Sequence, residues 1–99
     1  MDTEEAQRQL LIVEDDEAFA RTLARSFERR GYSVLQAASL ADVEVLLEQH
    51  QPGYAVVDLK LKGEASGLAC VQTLHAADDE MLIVAVSYTH LTLPTIYSV

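Results

Sequence analysis

The segment Leu10-Leu11-Ile12-Val13-Glu14-Asp15-Asp16 indicates the fold class, and Ala55-Val56-Val57-Asp58 shows the same pattern further along the chain. In both, a short apolar run precedes one or more carboxylates. Such a run predicts a strand that is buried on both faces, as in a parallel sheet. Functional groups in these sheets collect beyond the carboxyl ends of the strands, where these carboxylates fall. Because crowded carboxylates repel one another, the pattern predicts a site for a hard cation such as Mg²⁺.

The composition is that of one small globular domain. The 99 residues are 49% hydrophobic, which is enough for a core, and a net charge of −9 disfavours nucleic acid or an anionic membrane as a partner of this segment. The single cysteine, Cys70, excludes an internal disulfide, and no Cys/His spacing is typical of a zinc site. The acidic start of the chain does not resemble a signal peptide, and no apolar stretch has transmembrane length. A cytoplasmic location is therefore expected.

Predicted strands and helices alternate along the chain. Strands are expected at residues 9–13, 32–37, 54–58 and 81–86, and helices at residues 15–30, 39–50 and 67–76. Asp15 or Asp16 is expected to cap the first helix and Gly31 to end it, while Ser39 and Asp42 resemble a capping box for the second. This order predicts a doubly wound α/β fold with right-handed crossovers.

Apolar side chains at helical spacing predict the buried face of each helix. These side chains are Phe19, Leu23 and Phe27 in the first helix, Leu40, Val43 and Leu47 in the second, and Leu68, Val71 and Leu74 in the third. If the first and third strands are neighbours, as in the flavodoxin-like order, Glu14, Asp15 and Asp58 converge on one crevice. Taken alone, Asp15 and Asp16 could equally be helix caps, and Asp58 a turn residue.

Three motifs resemble the receiver domain of two-component response regulators. They are Leu11-Ile12-Val13-Glu14-Asp15-Asp16, then Val56-Val57-Asp58-Leu59-Lys60-Leu61, and finally Gly67-Leu68. The resemblance runs from about residue 10 to residue 84 and implies the sheet order 2-1-3-4. The segments Leu23-Ala24-Arg25, Glu28-Arg29-Arg30-Gly31 and Tyr54-Ala55-Val56-Val57-Asp58-Leu59 look like the redox-responding, Fis-type subgroup of these regulators.

The resemblance implies a phosphoryl switch in a phosphorelay. Asp58 would accept a phosphoryl group from a sensor histidine kinase, which makes the chain a signalling domain rather than an enzyme with a separate substrate. Glu14, Asp15, Asp58 and the backbone carbonyl of Lys60 would hold Mg²⁺, with Glu14 reaching it through water. The subgroup further implies a DNA-binding output domain in the parent chain, outside these residues.

Three other classes of protein share parts of this pattern. A flavodoxin-type cofactor binder needs a phosphate-cradling loop after the first strand, where this chain has the acidic residues 14–17. Aspartyl-phosphate hydrolases resemble an Asp-x-Asp arrangement, which Asp58-Leu59-Lys60 lacks. A non-phosphorylated, receiver-like protein-interaction module is the stronger alternative, although such modules often lose the acidic residues that this chain keeps.

The chain departs from the family pattern after about residue 85. Ser87 falls at the position of the family's Ser or Thr after strand four, but the lysine after strand five has no counterpart, and helix four, strand five and helix five have no room. The tail Val86-Ser87-Tyr88-Thr89-His90-Leu91-Thr92-Leu93-Pro94-Thr95 matches the translation of a transposase-based sequencing adapter. The expected organisation is a polar lead (1–8), a partial receiver domain (9–85) and a non-native tail (86–99), in which Ser87 would match by coincidence.

Overall fold

Strands and helices alternate along the chain, as the sequence pattern predicts. The computed structural model describes residues 8–60 and 67–86, together with the backbone of residues 95–97. Its elements are β1 (Gln9–Val13), α1 (Glu17–Glu28), β2 (Ser33–Ala37), α2 (Leu40–Gln49), β3 (Tyr54–Asp58), α3 (Gly67–Ala77), β4 (Leu82–Val86) and β5 (Thr95–Tyr97). The first seven agree with the predicted elements to within one or two residues at each end. None of the helices in the described part of the chain is long and apolar enough to cross a bilayer.

The strands form one sheet in the order β2-β1-β3-β4-β5. The pairs β1–β2, β1–β3 and β3–β4 are parallel, with Val13 opposite Ala37 on one side and Val57 on the other. This arrangement confirms the predicted flavodoxin-like order 2-1-3-4. It also brings the carboxyl ends of β1 and β3 side by side at one edge of the sheet.

A short fifth strand lies beyond β4. It runs antiparallel to β4, with Thr95 opposite Ala85 and Tyr97 opposite Ile83. The sequence pattern did not predict this strand, and the direction of β5 is opposite to that of the other four strands. Pairing with β4 uses backbone hydrogen-bonding groups that an edge strand otherwise leaves open.

The core has two parts, one on each face of the sheet. Because successive residues of a strand point to opposite faces, Leu11 and Val13 of β1 enter one part while Leu10 and Ile12 enter the other. The larger part lies under α2 and α3 and includes Val43, Val57, Leu74 and Ile83, all fully buried. The smaller part lies under α1.

Two predicted helix faces differ from the observed ones. Leu68 of α3 was expected to face inward but is 49% exposed, and Cys70 is fully buried instead. In α1, the buried residues are Ala20 and Ala24, while the larger side chains of the predicted stripe are only half-buried. Small side chains let α1 approach the sheet closely, so the larger side chains lie at the sides of the contact.

Candidate metal centre

The backbone of the parallel sheet brings the acidic residues together. Val13 and Val57 are direct neighbours in the β1–β3 pair, so the residue that follows each strand emerges at the same edge. Glu14 continues the ladder for one more bond, since its N–H donates to the Ala37 carbonyl at 2.9 Å. Asp58, the last residue of β3, lies opposite Val86 of β4. Both acidic residues therefore start from fixed backbone.

Glu14, Asp15 and Asp58 form one cluster at this edge. Each offers a carboxylate oxygen, and these oxygens all lie within 4.8 Å of one another. Glu14 is only 5% exposed and Asp58 only 6%, whereas Asp15 is half-buried. Two of the three carboxyl groups have thus lost most of their contact with water, while the third lies at the opening. The structure confirms the prediction that Glu14, Asp15 and Asp58 come together at this edge.

Backbone N–H groups orient two of these carboxylates. The Asp16 N–H donates to Glu14 Oε2 at 3.1 Å, and the Lys60 N–H donates to Asp58 Oδ1 at 2.9 Å. Both bonds span two residues and need only the local turn of the chain after the strand. They fix the rotation of each carboxylate before any ligand binds.

Asp16 has a different function from its two acidic neighbours. Its Oδ1 accepts a hydrogen bond from the Phe19 N–H at 3.1 Å, and its backbone is extended, as expected for the N-cap of α1. The sequence left open whether Asp15 or Asp16 caps this helix. The structure assigns the cap to Asp16 and leaves Asp15 in the cluster.

The electrostatics of the cluster favour a cation. The pKa of Glu14 rises from its ordinary value of 4.5 to about 7, chiefly because the carboxyl group is buried. The Asp16 N–H opposes this rise, while the charge of Asp58 and the hydrogen bonds with Asp15 and Asp58 increase it. A divalent cation would reverse this effect, because it stabilises the ionised form of every carboxylate that it contacts.

The donor set suits Mg²⁺. Carboxylate oxygens are the ligands that a hard divalent cation prefers, and Mg²⁺ commonly uses one or two of them and keeps several water molecules. Two buried carboxylates with a third at the opening provide such a set. Glu14, Asp15 and Asp58 are the residues that would hold the ion, which would supply positive charge at this edge.

The other predicted site residues have separate outcomes. Lys60 is exposed and lies beside Asp58, where its N–H contacts the carboxylate; its carbonyl as a metal ligand remains a prediction. Ser87 lies outside the described residues. The sequence indicated Gly67 only as the start of a helix and as part of a family motif, and did not reveal that Gly67 lies directly against the backbone of Asp58.

Comparison with known proteins identifies a family. The family profile for the response regulator receiver domain matches residues 10–97. The acid tolerance regulatory protein ActR of Sinorhizobium medicae is 40% identical over 85 residues, which are 85% of this chain and 43% of that protein. The photosynthetic apparatus regulatory protein RegA of Cereibacter sphaeroides is 38% identical over 82 residues, which are 83% of this chain and 44% of that protein.

Solved structures share the fold. A crystal structure of a response regulator from Burkholderia pseudomallei, with a phosphorylated aspartic acid, a calcium ion and citrate, superposes with a TM-score of 0.77 at 34% identity. The match covers 86% of this chain and 50% of that one. The chain spans about half the length of the proteins that it resembles, or slightly less. Because the family profile matches most of its length, this chain belongs to the response regulator receiver domain family.

Proposed function

We propose that this chain is the phosphoacceptor domain of a two-component response regulator, with Asp58 as the acceptor and Mg²⁺ as the cofactor. The observation that carries the proposal is the cluster of Glu14, Asp15 and Asp58 at the ends of β1 and β3. Further support is the phosphorylated aspartic acid and the calcium ion in the Burkholderia pseudomallei response regulator, which has the same fold at 34% identity.

The proposed reaction is a direct phosphoryl transfer to Asp58. A carboxylate oxygen of Asp58 bonds to the phosphorus of a phosphohistidine, the N–P bond breaks, and the histidine ring leaves with the electron pair of that bond and is protonated. The Lys60 N–H holds Asp58 Oδ1, so the carboxylate keeps one rotation as the phosphoryl group arrives. The bound Mg²⁺ would offset the repulsion between the anionic donor and the three carboxylates.

A mass measurement tests the proposal. A full-length version of the protein is incubated with a small phosphodonor such as acetyl phosphate in the presence of Mg²⁺, and its intact mass is recorded with time. We expect a gain of one phosphoryl group that hydroxylamine removes and that chelation of Mg²⁺ prevents, because an acyl phosphate forms only at the metal-bound carboxylate. Asp58→Asn is the matched control, since it keeps the size of the side chain and removes the nucleophile.

Two outcomes would contradict the proposal. Equal mass gain in the wild type and in Asp58→Asn would place the modification on another residue. No gain in the full-length protein, under conditions in which another receiver domain is modified, would favour the protein-interaction module instead.

The partners follow from the same proposal. A sensor histidine kinase is the proposed phosphodonor, and the parent chain is proposed to carry a DNA-binding output region, as in the Fis-type subgroup. Support comes from the 38% and 40% identity to RegA and ActR, which are named as regulatory proteins. Transfer from a candidate kinase purified in its phosphorylated form is the direct test. The cytoplasmic location remains a prediction.

We also propose that residues 86–99 are not part of the natural protein and derive from a sequencing adapter. The support is the match of Val86–Thr95 to the adapter translation and the abrupt loss of helical periodicity at that point. Reading the same gene from independent, adapter-trimmed sequence is the test. The same tail in that sequence would refute the proposal and make Ser87 a genuine candidate for the family's Ser or Thr position.

A further inference from the structure

Gly67, the first residue of α3, lies against the peptide that joins Asp58 to Leu59. A Cβ atom added to Gly67 would lie 2.1 Å from the Asp58 carbonyl oxygen and 2.4 Å from Leu59 Cα. Real Cβ atoms essentially never come within 3.0 Å of such atoms. The Gly67 N–H also points to the Leu59 carbonyl, with a donor–acceptor distance of 3.4 Å. This approach is possible only for glycine.

The same peptide is held from its other side by β4. The Leu59 N–H donates to the carbonyl of residue 86 at 2.7 Å, and Asp58 is the strand partner of that residue. Both contacts use only the backbone, so they do not depend on which side chain stands at position 86. The peptide therefore lies between β4 and the start of α3. Because the Asp58 side chain leaves from the Cα atom at one end of this peptide, a displacement of the peptide that shifts this Cα atom also moves the carboxylate.

We propose that Gly67 is a positioning residue for Asp58, and that its close packing holds the Asp58 carboxylate in the geometry that binds Mg²⁺. The inference rests on the proposed function and deepens it, since it names the residue that sets the metal geometry from outside the cluster. A methyl group at position 67 must displace either the Asp58–Leu59 peptide or the first turn of α3. The Leu59 N–H of this peptide is hydrogen-bonded to β4, so a displacement of the peptide also distorts that hydrogen bond.

The test is the Mg²⁺ affinity of Gly67→Ala, measured by isothermal titration at a temperature where circular dichroism shows a fully folded chain. We expect the dissociation constant to rise roughly tenfold to a hundredfold, as for other residues that orient a metal ligand without touching the metal. Restricting the measurement to folded protein separates positioning from a general loss of stability.

Two control variants sharpen this test. Gly31→Ala replaces a glycine with φ of +93°, so it strains the backbone, but it lies before β2 at the opposite edge of the sheet. Leu68→Ala changes the neighbouring residue of the same helical turn, whose side chain is 49% exposed. Both should change the dissociation constant by less than about twofold.

The outcomes separate this inference from the proposed function. A wild type that does not bind Mg²⁺ overturns both. A wild type that binds Mg²⁺, together with a Gly67→Ala variant of the same affinity, overturns the positioning role alone and indicates that α3 yields instead of the peptide. A loss of affinity in Gly31→Ala as large as in Gly67→Ala also overturns it, because the effect would then be general.

Amide hydrogen exchange in the wild type decides the question if Gly67→Ala does not fold. Coupling between two sites is reciprocal, so Mg²⁺ binding at Asp58 must stabilise the start of α3. We expect Mg²⁺ to slow exchange of the amides of residues 71–74 by roughly threefold or more relative to those of residues 45–49, at the end of α2. Equal slowing in both helices, or none in α3, overturns the inference.

Discussion

Replacing Glu14 by Gln should stabilise the metal-free protein while weakening its affinity for Mg²⁺. Glu14 is 5% exposed and lies within 4.8 Å of two other carboxylates. An amide of the same shape retains an oxygen that can accept the Asp16 N–H but carries no charge to bury. Without a cation, the ionised Glu14 is therefore a cost to folding that Gln removes.

The size and sign of the effect follow from the pKa. The Glu14 carboxyl titrates at about 7 in the folded protein and near 4.5 when unfolded, so the folded state binds more protons between these values. The contribution of Glu14 to the free energy of unfolding therefore falls as the pH rises from about 4.5 to about 7 and is level above that. The full difference corresponds to at most about 3 kcal/mol, because water screens part of the interaction. Glu14→Gln should gain up to this amount at about pH 8 and almost nothing at about pH 4.

Urea unfolding in a metal chelator, followed by circular dichroism across this pH range, measures the difference. Glu17→Gln is the matched control, because Glu17 is an exposed carboxylate in the first turn of α1. It should lose less than about 1 kcal/mol, from its interaction with the helix dipole. The predicted cost of the ionised Glu14 would be wrong if Glu14→Gln and the wild type differed by the same free energy of unfolding at every pH. It would also be wrong if the variant were less stable than the wild type at about pH 8. With Mg²⁺ present the advantage of Gln should shrink, because ligand binding stabilises the wild type.

Three variants and one labelling measurement test the fold. Leu11→Ala removes a fully buried side chain and should cost about 3 kcal/mol in urea unfolding, whereas Leu82→Ala, at a 40% exposed position, should cost less than about 1 kcal/mol. Ser39→Ala removes the acceptor of the Asp42 N–H and should cost about 1 kcal/mol. Burial raises the pKa of the Cys70 thiol, so labelling by a thiol reagent should be at least about tenfold slower in the folded chain than in urea; equal rates would contradict its buried position.

The sequence predicted the sheet and the cluster because both depend on short-range patterns. Strands β1, β3 and β4 are apolar runs, and β2 lies between Gly31, which follows α1, and Ser39, which caps α2. One register between β1 and β3 then places Glu14 beside Asp58 without further information. Capping was equally local, since Ser39 and Asp42 interact through a hydrogen bond that spans three residues.

The features that the sequence did not predict depend on contacts between elements. Periodicity alone placed Leu68 on the buried face of α3, whereas in the structure Gly67 lies against the Asp58 backbone, Leu68 is 49% exposed and Cys70 is buried. The face of α1 likewise depends on how closely the helix approaches the sheet. Ala20 and Ala24 carry little hydrophobic signal, yet they are the residues that permit that approach.

The first three acidic residues after β1 have three different environments because the backbone changes course at this point. Glu14 still follows the strand ladder and is therefore buried, Asp15 lies half-buried at the opening, and Asp16 turns outward to cap α1. If all three had served as caps or surface charges, none would carry a raised pKa. Burying the charged Glu14 beside Asp58 should lower the stability of the metal-free fold. A helix cap or a solvated surface charge needs no such burial. A bound cation would offset that cost, and this supports the proposal that the cluster is a binding site.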